Sequence, residues 1–132
     1  MNGGARAVRS VLFSIHPEHA AAIYTGAKRY EFRRCRVHLH AGDRVLIYET
    51  LPVGLVTGEF TVGPIYIGGA ASLLAFTRNA SGVGAATYLE GAVVATAISV
   101  VNPRKWATAS SLEAVGAPTR APQSYRFLDA VN

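Results

Sequence analysis

At 132 residues, with 50% hydrophobic and 16% charged side chains, the chain is long enough for one core and too short for two ordinary domains. That balance excludes an intrinsically disordered chain. A formal net charge of +5 and a pI of about 9.8 give a field that favours polyanionic partners.

Residues 1–9 read as a tail, and 10–129 as a single domain. No apolar stretch near the N-terminus is long enough for a signal peptide or a membrane span, so the expected location is cytoplasmic with no membrane partner. Val8 to Ile15, rich in Val, Leu, Phe and Ile, predicts a first strand that stops at His16-Pro17. Proline at a first helical position, then Glu18, Ala20–Ala22 and Ile23, predicts a helix ended by Gly26. Tyr30 to Val37 reads as a second strand, with Tyr30 and Phe32 on one face and Glu31, Arg33 and Cys35 on the other. Arg44–Thr50 and Gly54–Val62 read as two more strands, the latter ended or bent at Gly63-Pro64.

From Gly68 to Tyr88 the chain is rich in Gly and Ala. Leu73, Leu74 and Phe76 at helical spacing, with a break at Gly82-Val83-Gly84, predict two short helices. Ala92–Val101 reads as a central strand buried on both faces and closed by Asn102-Pro103. A short helix over Ser110–Val115, capped by Ser110 or Ser111, and a last strand over Tyr125–Leu128 complete the order. Many short strands with few helices give an α+β class, a small mixed β-barrel with flanking short helices.

Eleven of the thirteen basic residues are arginine, whose planar fork grips phosphate and stacks on bases. A GC-rich genome would also raise Ala, Gly and Arg together, so placement carries more than number. Five of the thirteen fall within positions 28 to 36, where Glu31 is the only acid. On a strand, Glu31 and Arg33 project to one side and can pair, which fixes a guanidinium for a base edge or phosphate. The other reading is a solvated edge strand whose charges block aggregation. The residues alone leave both open.

Cys35, the single cysteine, excludes an intramolecular disulfide and a multi-thiolate metal site, and reads as a small buried hydrophobe. His16-x-x-His19 and His38-x-His40 each offer two metal ligands without a clear third, so no metal site is expected. Trp106, after Arg104-Lys105, reads either as a base-stacking surface or, more commonly, as a cover for the core edge. Tyr24, Tyr66 and Tyr88 read as packing residues.

Gly26-x-Lys28-x-x-Glu31-x-Arg33 resembles the GxKxxExR signature of the ASCH domain family at all four positions. Ser14-Ile15-His16-Pro17-Glu18 resembles that family's strand-to-helix junction, where lysine is common in place of His16. Tyr48–Phe60 is similar to its next strand pair, and Ala121-Pro122-Gln123-Ser124-Tyr125 to the ending of one bacterial subgroup. The resemblance spans about residues 10 to 129.

The resemblance implies a PUA-like barrel with a basic cleft between the first helix and the barrel mouth. Its implied ligand is RNA, another single-stranded nucleic acid or a nucleotide, without a cofactor. The implied walls are Ser14, His16, Lys28, Glu31, Arg33 and Tyr48, with Gln123 and Ser124. Some members of the family it resembles are hydrolases, an N4-acetylcytidine amidohydrolase branch and a ribonuclease branch. The amidohydrolase branch has threonine at the place of Glu31. An enzyme here would therefore rest on Lys28 and Glu31 as acid and base rather than on a hydroxyl nucleophile. The expected role is a regulatory binding module, with hydrolysis of RNA or a modified nucleoside, or capture of a peptide or small molecule, as the alternatives.

Overall fold

A six-stranded curled sheet carries the molecule, and its strands come from nearly the whole length of the chain. In the computed structural model the structure describes residues 7–77, 84–117 and 120–128. Strand β1 (Ser10–Ile15) lies between β3 (Arg44–Glu49), which runs parallel to it, and β6 (Tyr125–Leu128), which runs antiparallel. Its alternate side chains feed two cores. Val11, Phe13 and Ile15 join Ile23, Ile47, Phe60 and Ile98 on one side, while Leu12 joins Leu46, Val56 and Trp106 on the other.

A parallel pair needs a crossover, and helix α1 (Pro17–Thr25) begins it. Pro17 opens the helix as expected, and Ala20 and Ile23 face the core. Gly26 closes it at φ 84, a left-handed turn in which its N–H bonds to the Ile23 carbonyl. The chain then enters β2 (Tyr30–Arg33), an edge strand antiparallel to β5 (Ala95–Ser110). This strand is shorter than the expected Tyr30–Val37. Ladder pairing with β5 ends at Arg33, and from Val37 the chain is held instead by the Thr96 hydroxyl, which takes the Val37 amide and donates to the Cys35 carbonyl. Cys35 is exposed, not buried, because it falls in the bend after the strand.

Strands β4 (Leu55–Gly68) and β5 (Ala95–Ser110) form the long antiparallel spine of the sheet. Gly63-Pro64 bends β4 without ending it, since the register shifts between Val62 and Ile65 and pairing then resumes. The expectation that Asn102-Pro103 ends the following strand is corrected in the same way. The pairs Thr61–Val101 and Glu59–Arg104 leave Asn102 and Pro103 opposite Phe60 alone, as in a bulge. There a proline deprives the ladder of no bond, and Asn102 takes φ 49. Only Ala95–Ile98 are buried as a run, while Val93 and Val94 lie exposed before the strand.

Two short helices, α2 (Ala70–Thr77) and α3 (Ala85–Leu89), lie between β4 and β5 and close a third core over Phe32, Ala95 and Ala97. Gly82 and Val83 of the expected break lie outside the described residues. A 3₁₀ turn at Glu113–Val115 replaces the expected helix, with the Ser111 hydroxyl accepting the Ala114 amide. Sheet order is β2-β5-β4-β3-β1-β6, so β2 and β6 are the two free edges of a half-barrel. The class is the expected α+β one.

Trp106 covers a core edge, and its indole N–H donates to Glu59 at 2.9 Å. The same carboxylate takes both nitrogens of the Arg44 fork and one of Arg104. The Arg44 bonds, with those of Trp106 and Arg104, hold the Glu59 carboxyl down to about 2. Burial alone would push the Asp43 carboxyl up, but Arg9 and the His40 amide hold it below its ordinary value.

Both groups are depressed in the folded state, so the stability they supply is complete above the unfolded carboxylate range. It is lost as pH falls, for Glu59 between about 4.5 and about 2. Glu59→Gln is expected to cost about 1–2 kcal/mol at neutral pH and to flatten the acid limb of the stability profile. Urea denaturation over a pH series checks this, and coincident acid limbs for the variant and the parent would refute it.

Candidate functional site

The parallel strands β1 and β3 end side by side, with the Thr50 amide bonded to the Ile15 carbonyl. Helix α1 starts from that same edge. Strand β2 comes back across it, and α3 packs against β2 from the far side. The space they leave is a cleft of about 710 Å³, within the roughly 300–1,000 Å³ usual for small-molecule sites. Much of its wall is apolar, from Ile15, Ala22, Ala27, Phe32 and Ala85.

One polar cluster forms the charged wall. Lys28 Nζ donates to Glu31 Oε1 at 2.9 Å, and Arg33 Nη2 donates to Glu31 Oε2 at 2.8 Å. Strand alternation puts Glu31 and Arg33 on one side, as their spacing predicts, and Glu31 is only 5% exposed. The reading of these residues as a solvated edge strand is therefore corrected. Arg29, Arg34 and Arg36 are the exposed members of the run, and they do not line the cleft. Within it, two cations face one shared carboxylate.

Arg33 is also a structural staple. From the edge strand β2 its Nη2 reaches the Ser14 carbonyl at 3.2 Å, and its Nη1 reaches the Ser124 hydroxyl at 3.3 Å. Its guanidinium carbon stands 4.6 Å from the centre of the Phe13 ring. Among the described residues, Arg33 Nε is buried without a hydrogen-bond partner. The Ser14 hydroxyl is itself engaged by the Pro122 carbonyl, and the Ser14 amide by the Ser124 carbonyl. The two free edges of the sheet are thus linked by a side chain instead of a backbone ladder.

Of the residues expected to form the walls, Ser14, His16, Lys28, Glu31, Arg33 and Gln123 line the cleft together. Ser124 touches it through Arg33. Tyr48 does not belong to the wall. Alternation along β3 sends Val45 and Ile47 to the first core and Leu46 and Tyr48 to the other, where Tyr48 is 8% exposed.

Besides the apolar wall, three side chains with polar groups were not expected there. His19 lies three residues from His16 on α1, with ring centres 6.3 Å apart, and the i, i+3 spacing could have shown that they share a face. Thr50 shares a hydrogen bond with His16 Nδ1 at 3.1 Å. Tyr88, expected to be a packing residue, is 45% exposed on α3 and lines the cleft. Burial of its ring pushes the phenol up, and the charges of Arg33 and Glu31 both act on it. No local signal distinguishes Tyr88 from Tyr24, which packs on the core and bonds Thr57, or Tyr66, which stacks on Phe76. Among the described residues no three His, Cys, Asp or Glu side chains cluster as metal ligands would.

The ASCH domain model matches residues 13–104, which contain the end of β1, α1, the Lys28–Glu31–Arg33 cluster, β4 and the larger part of β5. The chain belongs to the ASCH domain family. Among solved structures, the crystal structure of ASCH from Zymomonas mobilis superposes with a TM-score of 0.80 at 28% identity, covering 91% of this chain and 87% of that one. A tyrosine-to-phenylalanine variant of the Zymomonas mobilis protein gives the same TM-score at 27% identity, covering 91% and 90%. A hypothetical protein from Leishmania major shares the fold at a TM-score of 0.55 and 15% identity, over 94% of this chain and 88% of that one. No curated protein matches the chain significantly.

Removing Glu31 leaves two nearly buried cations facing each other. Glu31→Ala is therefore expected to cost about 3 kcal/mol, as when one partner of a buried pair is deleted. Lys28→Met leaves the Glu31–Arg33 pair intact and should cost only about 1 kcal/mol. Chemical denaturation of the two variants orders them, and equal losses would show that Arg33 does not depend on Glu31.

Proposed function

We propose that this ASCH domain, taken as residues 10–129, is a regulatory binding module for single-stranded RNA or nucleotides, and that the cleft holds a nucleobase. The observation that carries this reading is the pairing of an accessible aromatic ring, Tyr88, with a fixed ion cluster in one cavity large enough for a nucleoside. Tyr88 offers ring surface for stacking, and Gln123 and His19 offer donors and acceptors for a base edge. Lys28 and Arg33 supply positive charge that Glu31 orients but does not fully cancel. The net charge of +5 adds attraction at longer range.

Fluorescence anisotropy with a short mixed-sequence single-stranded RNA tests this reading. Affinity is expected to be weak and to fall steeply as salt rises, because bound phosphates release counterions. Tyr88→Ala should weaken binding about tenfold through lost stacking, with little effect on stability, since the ring is partly exposed. Arg126→Ala, at an exposed position on β6, should change affinity much less. Salt-independent binding, or equal losses in the two variants, would remove the cleft from the explanation.

A second reading, hydrolysis of a modified nucleoside or RNA, is favoured by one observation. Lys28 and Glu31 meet at 2.9 Å in the wall of the cavity, the reach that an acid–base pair requires. Against it, both Glu31 oxygens are already engaged, which suits holding a ligand better than abstracting a proton. Purified protein is expected to leave N4-acetylcytidine intact. Turnover abolished alike by Lys28→Ala and Glu31→Gln would instead establish the catalytic reading.

A further inference from the structure

A second concavity of about 410 Å³ lies beyond the cleft, where the C-terminal end of α1 passes into β2. Lys28 borders both spaces. The rest of its wall combines a cation, a ring and a flat apolar surface: Arg29, Tyr30 and Pro103, with Ser99 beside them. Three features hold this wall in place. The left-handed turn at Gly26 brings the chain round so that the Lys28 amide bonds the Ala22 carbonyl at 2.9 Å. The Arg29 carbonyl accepts the Val100 amide, also at 2.9 Å. The bulge in the β4–β5 ladder places Pro103 outside the regular pairing.

The electrostatics of the two concavities differ. In the cleft the cations are tied to Glu31. Arg29 is exposed, and among the described residues no carboxylate pairs with it. An unneutralised guanidinium next to a lysine and a tyrosine ring is chemistry that suits a phosphodiester with a base beside it.

We infer that this groove is a second nucleotide subsite, which takes the neighbour in the chain of the nucleoside held in the cleft. The linking phosphate lies at the ridge between Lys28 and Arg29, and the second base lies against Tyr30 and Pro103. This inference rests on the reading of the cleft as a nucleobase site. It adds that the ligand is an oligonucleotide of at least two units, not a free nucleoside.

The experiment compares the four ribonucleosides with the four homodinucleoside monophosphates, titrated into isotopically labelled protein and followed by amide chemical shifts. The dinucleoside monophosphates are expected to bind at least about fivefold more tightly than the nucleosides. Shifts at Ala85 and Tyr88 should appear with both ligand classes, and shifts at Ser99 and Val100 with the dinucleoside monophosphates alone. Arg29→Ala and Arg29→Glu, changes at an exposed side chain, should abolish the gain from the second unit and leave nucleoside binding unchanged. Arg126→Ala should leave both unchanged.

If nucleosides and dinucleoside monophosphates bind equally, with no response to Arg29, the second subsite is overturned while the cleft reading stands. If neither class perturbs Ala85 or Tyr88, the cleft reading falls and the subsite falls with it.

Discussion

A single carboxylate shared between two cations organises the cleft end of this protein. Glu31 holds Lys28 with one oxygen and Arg33 with the other, in surroundings that leave it almost no solvent. Withdrawing such charges from water is costly unless each finds its partner, so the three side chains are confined to one arrangement. Arg33 carries that constraint outward. Its guanidinium spans from edge strand β2 to the Ser14 carbonyl on β1 and to the Ser124 hydroxyl ahead of β6. The half-barrel is therefore drawn together at its open seam by the residue that also lines the cleft. Cleft wall and scaffold are the same side chain, so substitutions at Arg33 change the fold's seam together with the cleft.

The sheet achieves its curvature through local departures from regular pairing. The bulges at Val62–Ile65 and at Asn102-Pro103 let two long strands bend without giving up their ladder. Those bends decide where the two concavities fall. The parallel ends of β1 and β3 open the cleft, and the displaced Pro103 forms part of the smaller groove. Lys28 stands between them because Gly26 turns the chain sharply at the end of α1. The two adjacent spaces differ in charge, since one is apolar with a tethered ion cluster and the other borders an arginine that no carboxylate pairs with among the described residues.

Much of this was legible in the residues, and for particular reasons. Pro17 and Gly26 bracket a helix because each imposes a backbone geometry that few other residues accept. Glu31 and Arg33 share a side because alternation along a strand needs no tertiary information. The four ordered blocks around the Gly26–Arg33 motif identified the family, which the match over residues 13–104 shows. The α+β class followed from the count and length of the apolar runs.

What only the tertiary structure decided are properties of pairs of elements distant in the chain. Whether Asn102-Pro103 ends a strand depends on the partner strand, and the bulge opposite Phe60 removes the need for the missing N–H. Tyr48 is a core residue and Tyr88 a cleft residue because β3 is covered on its second face while α3 packs with one side open. Both are tyrosines in apolar surroundings, so composition does not separate them. The seam closed by Arg33 joins positions 33, 14 and 124, and no local pattern encodes that meeting. The sequence by itself determined which residues carry charge and which local geometries they adopt, since these depend on neighbours along the chain. Burial, exposure and the joining of edges depend on neighbours in space, and those were set only when the sheet curled.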